Sequence, residues 1–197
     1  MNTKSHKLIL IFTFLFLIGS SPVYADNLQD GVAAYQRQDY KEAAKWYRLS
    51  AEQGTAEAQF NLGLIYANGR GVPQDHKEAV KWFRLSGEQG FAEAQFNLGL
   101  MYAKGRGVPQ DHKEAVKWYR LSTKQGTAEA QYNLGLMYAK GRGVPQDYVL
   151  THMWFNIAGS NGMKDAIKNR AIVEKRMTQQ QIEKAQEMAR NWKPTTN

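Results

Sequence analysis

The stretch Gly90–Asp111, GFAEAQFNLGLMYAKGRGVPQD, decides the fold because it occurs three times, starting at Gly54, Gly90 and Gly126, with a period of 36 residues. The segments Gly54–Gln89 and Gly90–Gln125 differ at only six of 36 positions. The third copy follows the second in 20 of its first 22 positions, then diverges after Asp147. A fixed period of this length belongs to a stacked helical repeat, in which each unit buries its apolar face only against its neighbours. Trp46, Trp82, Trp118 and Trp154 keep the same spacing, which brings a shorter first unit and a divergent fourth one into register.

Within a repeat, the first helix is expected from about Thr55 to Asn68, with Ala58, Leu62, Ile65 and Tyr66 facing inward at helical spacing. Thr55 and Thr127 stand at the N-cap, where Phe91 breaks the pattern, and Glu57, Glu93 and Glu129 follow where the helix dipole favours negative charge. Gly63, Gly99 and Gly135 lie inside the helix, where glycine costs about 1 kcal/mol relative to alanine, and this predicts close backbone approach by a neighbouring helix. GRGVPQD cannot continue the helix: its glycines allow positive φ, and its proline pushes Val72, Val108 and Val144 into extended geometry. Asp75 with Glu78, and Asp111 with Glu114, have capping-box spacing, as do Asp39 and Glu42 in the first unit. The second helix therefore starts there, carries Ala79, Val80, Trp82, Phe83 and Leu85, and ends at Gly90 or Gly126. Two charged amphipathic segments, 163–176 and 178–192, with a Thr178–Gln181 box and Pro194 as stop, read as a polar cap on the stack. The expectation is ten helices and no strand.

At the other end, Lys4, His6 and Lys7 precede the apolar run Leu8–Ile18, and a short segment with small residues ends in Val-Tyr-Ala at Ala25. The run covers 11 residues, short of the roughly 20 that cross a bilayer as a helix. It reads as a secretory signal peptide cleaved after Ala25, giving a periplasmic or secreted mature chain without a stable membrane span. A length of 197 residues suits one domain. The absence of cysteine excludes disulfides, thiolate metal sites and a cysteine nucleophile. Loss of Lys4 and Lys7 lowers the formal net charge from +8 to +6, a balance that favours anionic partners or surfaces. No nucleic-acid partner is expected.

The pattern AEAQFNLGLxYAxGRGVPQDxKEAxKW resembles the Sel1-like repeat family, relatives of tetratricopeptide repeats with a longer loop inside the repeat. The resemblance covers about residues 26–192. It implies an all-α, right-handed α/α superhelical solenoid of about five helix pairs that acts as an adaptor or scaffold and is often exported in bacteria. The expected organisation is a signal peptide over 1–25, a tetratricopeptide-like pair over 26–53, Sel1-like repeats over 54–89, 90–125 and 126–161, and capping helices over 162–197. Cysteine-rich members of the family have been associated with β-lactamase activity; with no cysteine here, that link does not carry over.

No catalytic or metal-binding constellation is present in the sequence, and no cofactor is expected. His76, His112 and His152 lack the four-residue pairing of a helical zinc site, and His76 and His112 read as solvated first-turn residues. By similarity to tetratricopeptides, the concave face is expected to carry Glu57, Phe60, Leu64 and Asn68; Glu93, Phe96, Leu100 and Lys104; and Glu129, Tyr132, Leu136 and Lys140. This apolar ladder edged by charge suits a protein or peptide partner. Phe60, Phe96 and Tyr132 have a second reading, as fillers between repeats. Arg70, Arg106 and Arg142 form a basic loop edge that suits an anionic glycan or lipid headgroup of the cell envelope. The expected protein is a non-catalytic scaffold.

Overall fold

The computed structural model describes residues 22–195. The proposed signal peptide lies outside the described residues except for its last four, which open the first helix. Ten helices follow in order: α1 Pro22–Gln36, α2 Tyr40–Glu52, α3 Ala56–Asn68, α4 His76–Glu88, α5 Ala92–Lys104, α6 His112–Lys124, α7 Ala128–Lys140, α8 Tyr148–Ser160, α9 Lys164–Glu174 and α10 Gln179–Asn191. There is no strand among the described residues. From α1 to α9 consecutive helices pack on one another, so the fold is an all-α superhelical stack.

Local chemistry sets the boundaries. Oδ1 of Asp75 accepts from the backbone N–H groups of Lys77 and Glu78 at 2.8 and 3.1 Å, and Asp111 repeats this at α6. The reciprocal arm of the expected box is used elsewhere: Glu42, Glu78 and Glu114 pair with Lys45, Lys81 and Lys117, three residues on. Among the described residues, only Thr178 and Gln181 form the full box. Thr55 and Thr127 occupy the N-cap position without a side-chain capping bond. Phe91, at the same position, lays its ring 5.2 Å from that of Phe60.

Packing corrects the expected role of the mid-helix glycines. A Cβ at Gly63, Gly99 or Gly135 would lie 2.6–2.7 Å from the ring of Phe83, Tyr119 or Phe155. The close approach is by an aromatic ring from the second helix of the same repeat, not by a backbone from a neighbouring one. Gly31 holds Tyr47 in the same way. The tryptophans join successive units, as Trp82 of α4 belongs to the cluster of Tyr47, Leu62 and Ile65, and Trp118 of α6 to that of Phe83 and Leu98. A polar ladder runs beside them: Gln95, buried, donates to the Gly87 carbonyl of the preceding repeat at 3.0 Å and accepts from Gln125 at 2.9 Å. Gln59 and Gln89 do the same one step earlier.

The C-terminal segments do not form another hairpin. α9 packs on α8, whereas α10 also returns to α8, with Trp192 edge-on to Trp154 at 5.8 Å and the Thr195 N–H donating to the Lys124 carbonyl at 2.6 Å. Between α8 and α9, fully buried His152 meets the Glu174 carboxylate through Nε2 at 2.8 Å, and Arg170 reaches the same carboxylate at 3.4 Å. Burial lowers the imidazole's pKa below its ordinary value, and Glu174 opposes that shift.

Candidate binding face

The first helices α3, α5 and α7 present equivalent residues in the same environment at each step. Glu57, Glu93 and Glu129 are exposed in the first turn of each helix; Asn68, Lys104 and Lys140 are exposed at its last residue. Between them Phe60 and Leu64, Phe96 and Leu100, and Tyr132 and Leu136 are half-buried. The face is therefore an apolar band with a carboxylate edge and a largely basic edge.

The rings on this face are also part of the stack. Phe60 packs 5.9 Å from Phe83, Phe96 6.1 Å from Tyr119, and Tyr132 5.4 Å from Phe155. Tyr132 also accepts a hydrogen bond from Asn169 of α9 at 2.7 Å. Leu64, Leu100 and Leu136 pack against the same clusters as these rings and also border open clefts. One cleft, about 130 Å³, lies between α3 and α5 and is lined by Leu64, Asn97, Leu100 and Lys104, with His76 and Arg106. The next, about 150 Å³, lies between α5 and α7 and is lined by Leu100, Asn133, Leu136 and Lys140, with His112 and Arg142. The helix face and the loop edge, two separate surfaces in the sequence, meet in the same clefts.

The loop explains how they meet. Gly71, Gly107 and Gly143 have φ of 72–73° and sit against the backbone of Tyr40, His76 and His112, the first residue of a second helix in the preceding unit. Each loop is thereby seated on its predecessor and brings its arginine over that helix start. This corrects the reading of His76 and His112 as solvated: both rings are half-buried, with Nδ1 shielded and unpartnered. It also shortens the basic row. Arg70 donates to the Tyr35 hydroxyl and lies 5.8 and 5.4 Å from the rings of Tyr35 and Tyr40. A side-by-side reading of the first unit against the others, allowing for its shorter loop, would have exposed this difference: Tyr35 and Tyr40 correspond to Ala67 and His76, then to Ala103 and His112.

Burial pushes the Tyr47 hydroxyl up to about 12 and raises Tyr119 as well. Among the described residues, no three His, Asp or Glu side chains gather to hold a metal ion, and no helix is long and apolar enough to cross a membrane.

The Sel1 repeat family matches four consecutive segments, residues 24–55, 56–91, 92–127 and 128–163. The chain belongs to the Sel1 repeat family. The match includes the short first unit and the divergent fourth, and stops before α9 and α10. Among solved structures, it is similar to c5321, a protective antigen of uropathogenic Escherichia coli strains displaying an SLR fold. Identity is 43%, the TM-score is 0.70, and the alignment covers 75% of this chain and 32% of the antigen. This chain thus spans about a third of that protein's length. A Sel1 repeat protein from Oxalobacter formigenes is 30% identical with a TM-score of 0.70, over 88% of this chain and 73% of the other. No curated protein matches the chain. Membership in the Sel1 repeat family points to a protein-interaction scaffold in general terms.

Proposed function

We propose that this Sel1 repeat protein is an exported, non-catalytic scaffold that holds a protein or peptide partner against α3, α5 and α7. The observation that carries the reading is the repetition of half-buried Leu64, Leu100 and Leu136 beside open clefts, with carboxylates at one edge and Lys104 and Lys140 at the other. A partner helix or extended strand covering these leucines gains burial at every step, and the two edges fix its direction. Export rests on the basic and apolar character of residues 4–18 and on the Val-Tyr-Ala ending. An anionic glycan or lipid headgroup along the loop edge is the weaker reading, because Arg70 is engaged by Tyr35 and Tyr40.

A photocrosslinking amino acid at Leu100, compared with one at exposed Leu85 of α4, tests the reading in the cell envelope. A discrete protein adduct from position 100 and none from 85 is the expected result. Adducts from 85 alone, or only polysaccharide-sized smears from 100, refute it.

A further inference from the structure

Four steps of the stack bring an arginine over the start of a second helix, and they differ in what receives it. At the first step Arg70 is bound by Tyr35 and Tyr40. At the last, Arg176 lies 6.0 Å from the Tyr148 ring and donates to its hydroxyl at 3.2 Å. At the two middle steps the loop backbone is seated in the same way, but alanine replaces Tyr35 and histidine replaces Tyr40. The missing ring is where the clefts open, and Ala67 lines one and Ala103 the other. Among the described residues, the guanidinium groups of Arg106 and Arg142 have no hydrogen bond, ion pair or aromatic face. No carboxylate lines either cleft. Lys104 borders both, Asn97 lines the first and Asn133 the second, and His76 and His112 hold a shielded Nδ1 without a partner.

We infer that these two clefts are paired carboxylate pockets that receive acidic side chains of the partner peptide, an inference that rests on the binding-face reading above. A guanidinium offers a carboxylate two parallel N–H donors, and with a lysine nearby and no competing acid the interaction is attractive from either side. The apolar walls select the source of the charge: Leu64, Leu100 and Leu136 suit a peptide whose acidic residues alternate with apolar ones better than a bare phosphate or a fully hydrated glycan. The two pockets share Leu100 and Lys104, so one continuous peptide can fill both. Tyr35 and Tyr148 mark the ends of the site by occupying the arginine themselves.

The internal difference supplies its own test. Ala67→Tyr with His76→Tyr, and Ala103→Tyr with His112→Tyr, rebuild the Tyr35–Tyr40–Arg70 arrangement at the middle steps. A random dodecamer peptide library is selected on the chain from Asp26 onward, and the selected peptides are titrated by fluorescence anisotropy. The expected peptides carry Asp or Glu next to apolar residues; they bind at least tenfold more weakly to the tyrosine-grafted chain and to Arg106→Gln/Arg142→Gln, and within twofold of the parent to Arg70→Gln. Should the grafted chain fail to fold by circular dichroism, the glutamine variants carry the comparison. Peptides without acidic residues that lose affinity for Leu100→Ser but not for Arg106→Gln would overturn the carboxylate pockets and leave the binding face standing. Peptides indifferent to Leu100→Ser and to the arginines, or no enrichment at all, would overturn both. Displacement of a selected peptide by phosphatidylglycerol vesicles, through the same two arginines, would assign them to a membrane surface instead.

Discussion

Gly99→Val is the sharpest test of how each helix pair is held together. A Cβ built at Gly99 lies 2.6 Å from Cδ1 and Cε1 of Tyr119 and 3.3 Å from Cγ, where carbon atoms rest at about 3.5–4.0 Å. The ring must therefore retreat by about 1 Å. Its room to move is limited, because Tyr119 is 1% exposed and the Phe96 ring stands 6.1 Å away, and the ring can yield only toward the cleft between α5 and α7 that Tyr119 lines. Overpacking of this kind costs about 1–3 kcal/mol, while replacing a mid-helix glycine by alanine returns about 1 kcal/mol of helix propensity. Alanine at 99 should then cost roughly 0–2 kcal/mol. Valine, with two more methyl groups and most of the propensity gain forfeited, should cost about 2–3 kcal/mol.

For a chain of this length that is a fall of about 4–12 °C in Tm, measured by circular dichroism alongside Lys104→Ala as an exposed control. Trimming the ring isolates the cause. In the double variant Gly99→Ala/Tyr119→Leu the clash is gone, so the two substitutions should be less harmful together than their sum, by about 0.5–3 kcal/mol. Equal midpoints for Gly99→Val and Lys104→Ala, or additivity within about 0.5 kcal/mol in the cycle, would refute the ring-slot argument.

Two further outcomes follow from the loop and from the buried histidine. Gly107→Ala should destabilise the chain more than Gly90→Ala in urea unfolding: both have positive φ, but a Cβ at 107 enters the His76 carbonyl whereas one at 90 meets nothing within 4 Å; equal midpoints would show that the loop is not seated as described. His152 has a lowered pKa in the folded chain because of burial, with Arg170 adding to the shift and Glu174 opposing it. Its contribution is therefore full above the ordinary histidine value of about 6.5 and is lost as pH falls below it, since the unfolded chain takes up the proton first. His152→Gln should flatten the fall in stability between about pH 7 and 5, and an unchanged slope in thermal unfolding would count against the buried imidazole as its source.

The repeat, its two helices and the linking loop were legible in the sequence because each is dictated locally, by apolar spacing, by Asp75 and Asp111 as caps, and by glycines that break the helix. What could not be read was how the two helices of a unit, and the units themselves, sit against one another. Gly99 announces a close contact but not that its partner is Tyr119, 20 residues on; Gln95 looks like a surface residue until stacking buries it between the Gly87 carbonyl and Gln125. The half-capped helices are a similar case, since Glu78 and Glu114 had a second partner three residues away that spacing alone could not rank. The C-terminal helices were recognisable as helices, but nothing local told α10 to return to α8.

A repeat protein of near-identical units makes sameness uninformative and difference valuable. Phe60, Phe96 and Tyr132 recur because each ring completes the packing around Phe83, Tyr119 or Phe155, so their recurrence is accounted for by the stack whether or not a partner also touches them. The leucines recur with them on the same face, but only they border the clefts. Serine at Phe96 or Tyr132 would therefore disturb the fold together with the face, and because Leu100 packs against the cluster of Tyr119 and Leu134, Leu100→Ser is compared with the parent by circular dichroism before binding is measured. The arginines reverse the logic: Arg70, Arg106 and Arg142 are one residue type at one repeat position, yet Tyr35 and Tyr40 hold the first while the other two have no such partner. Packing requires no such inequality, because the loop is seated equally well at Gly71, Gly107 and Gly143. The two middle steps, where register is kept and chemistry changes, are the part of the binding face that the demands of stacking do not explain.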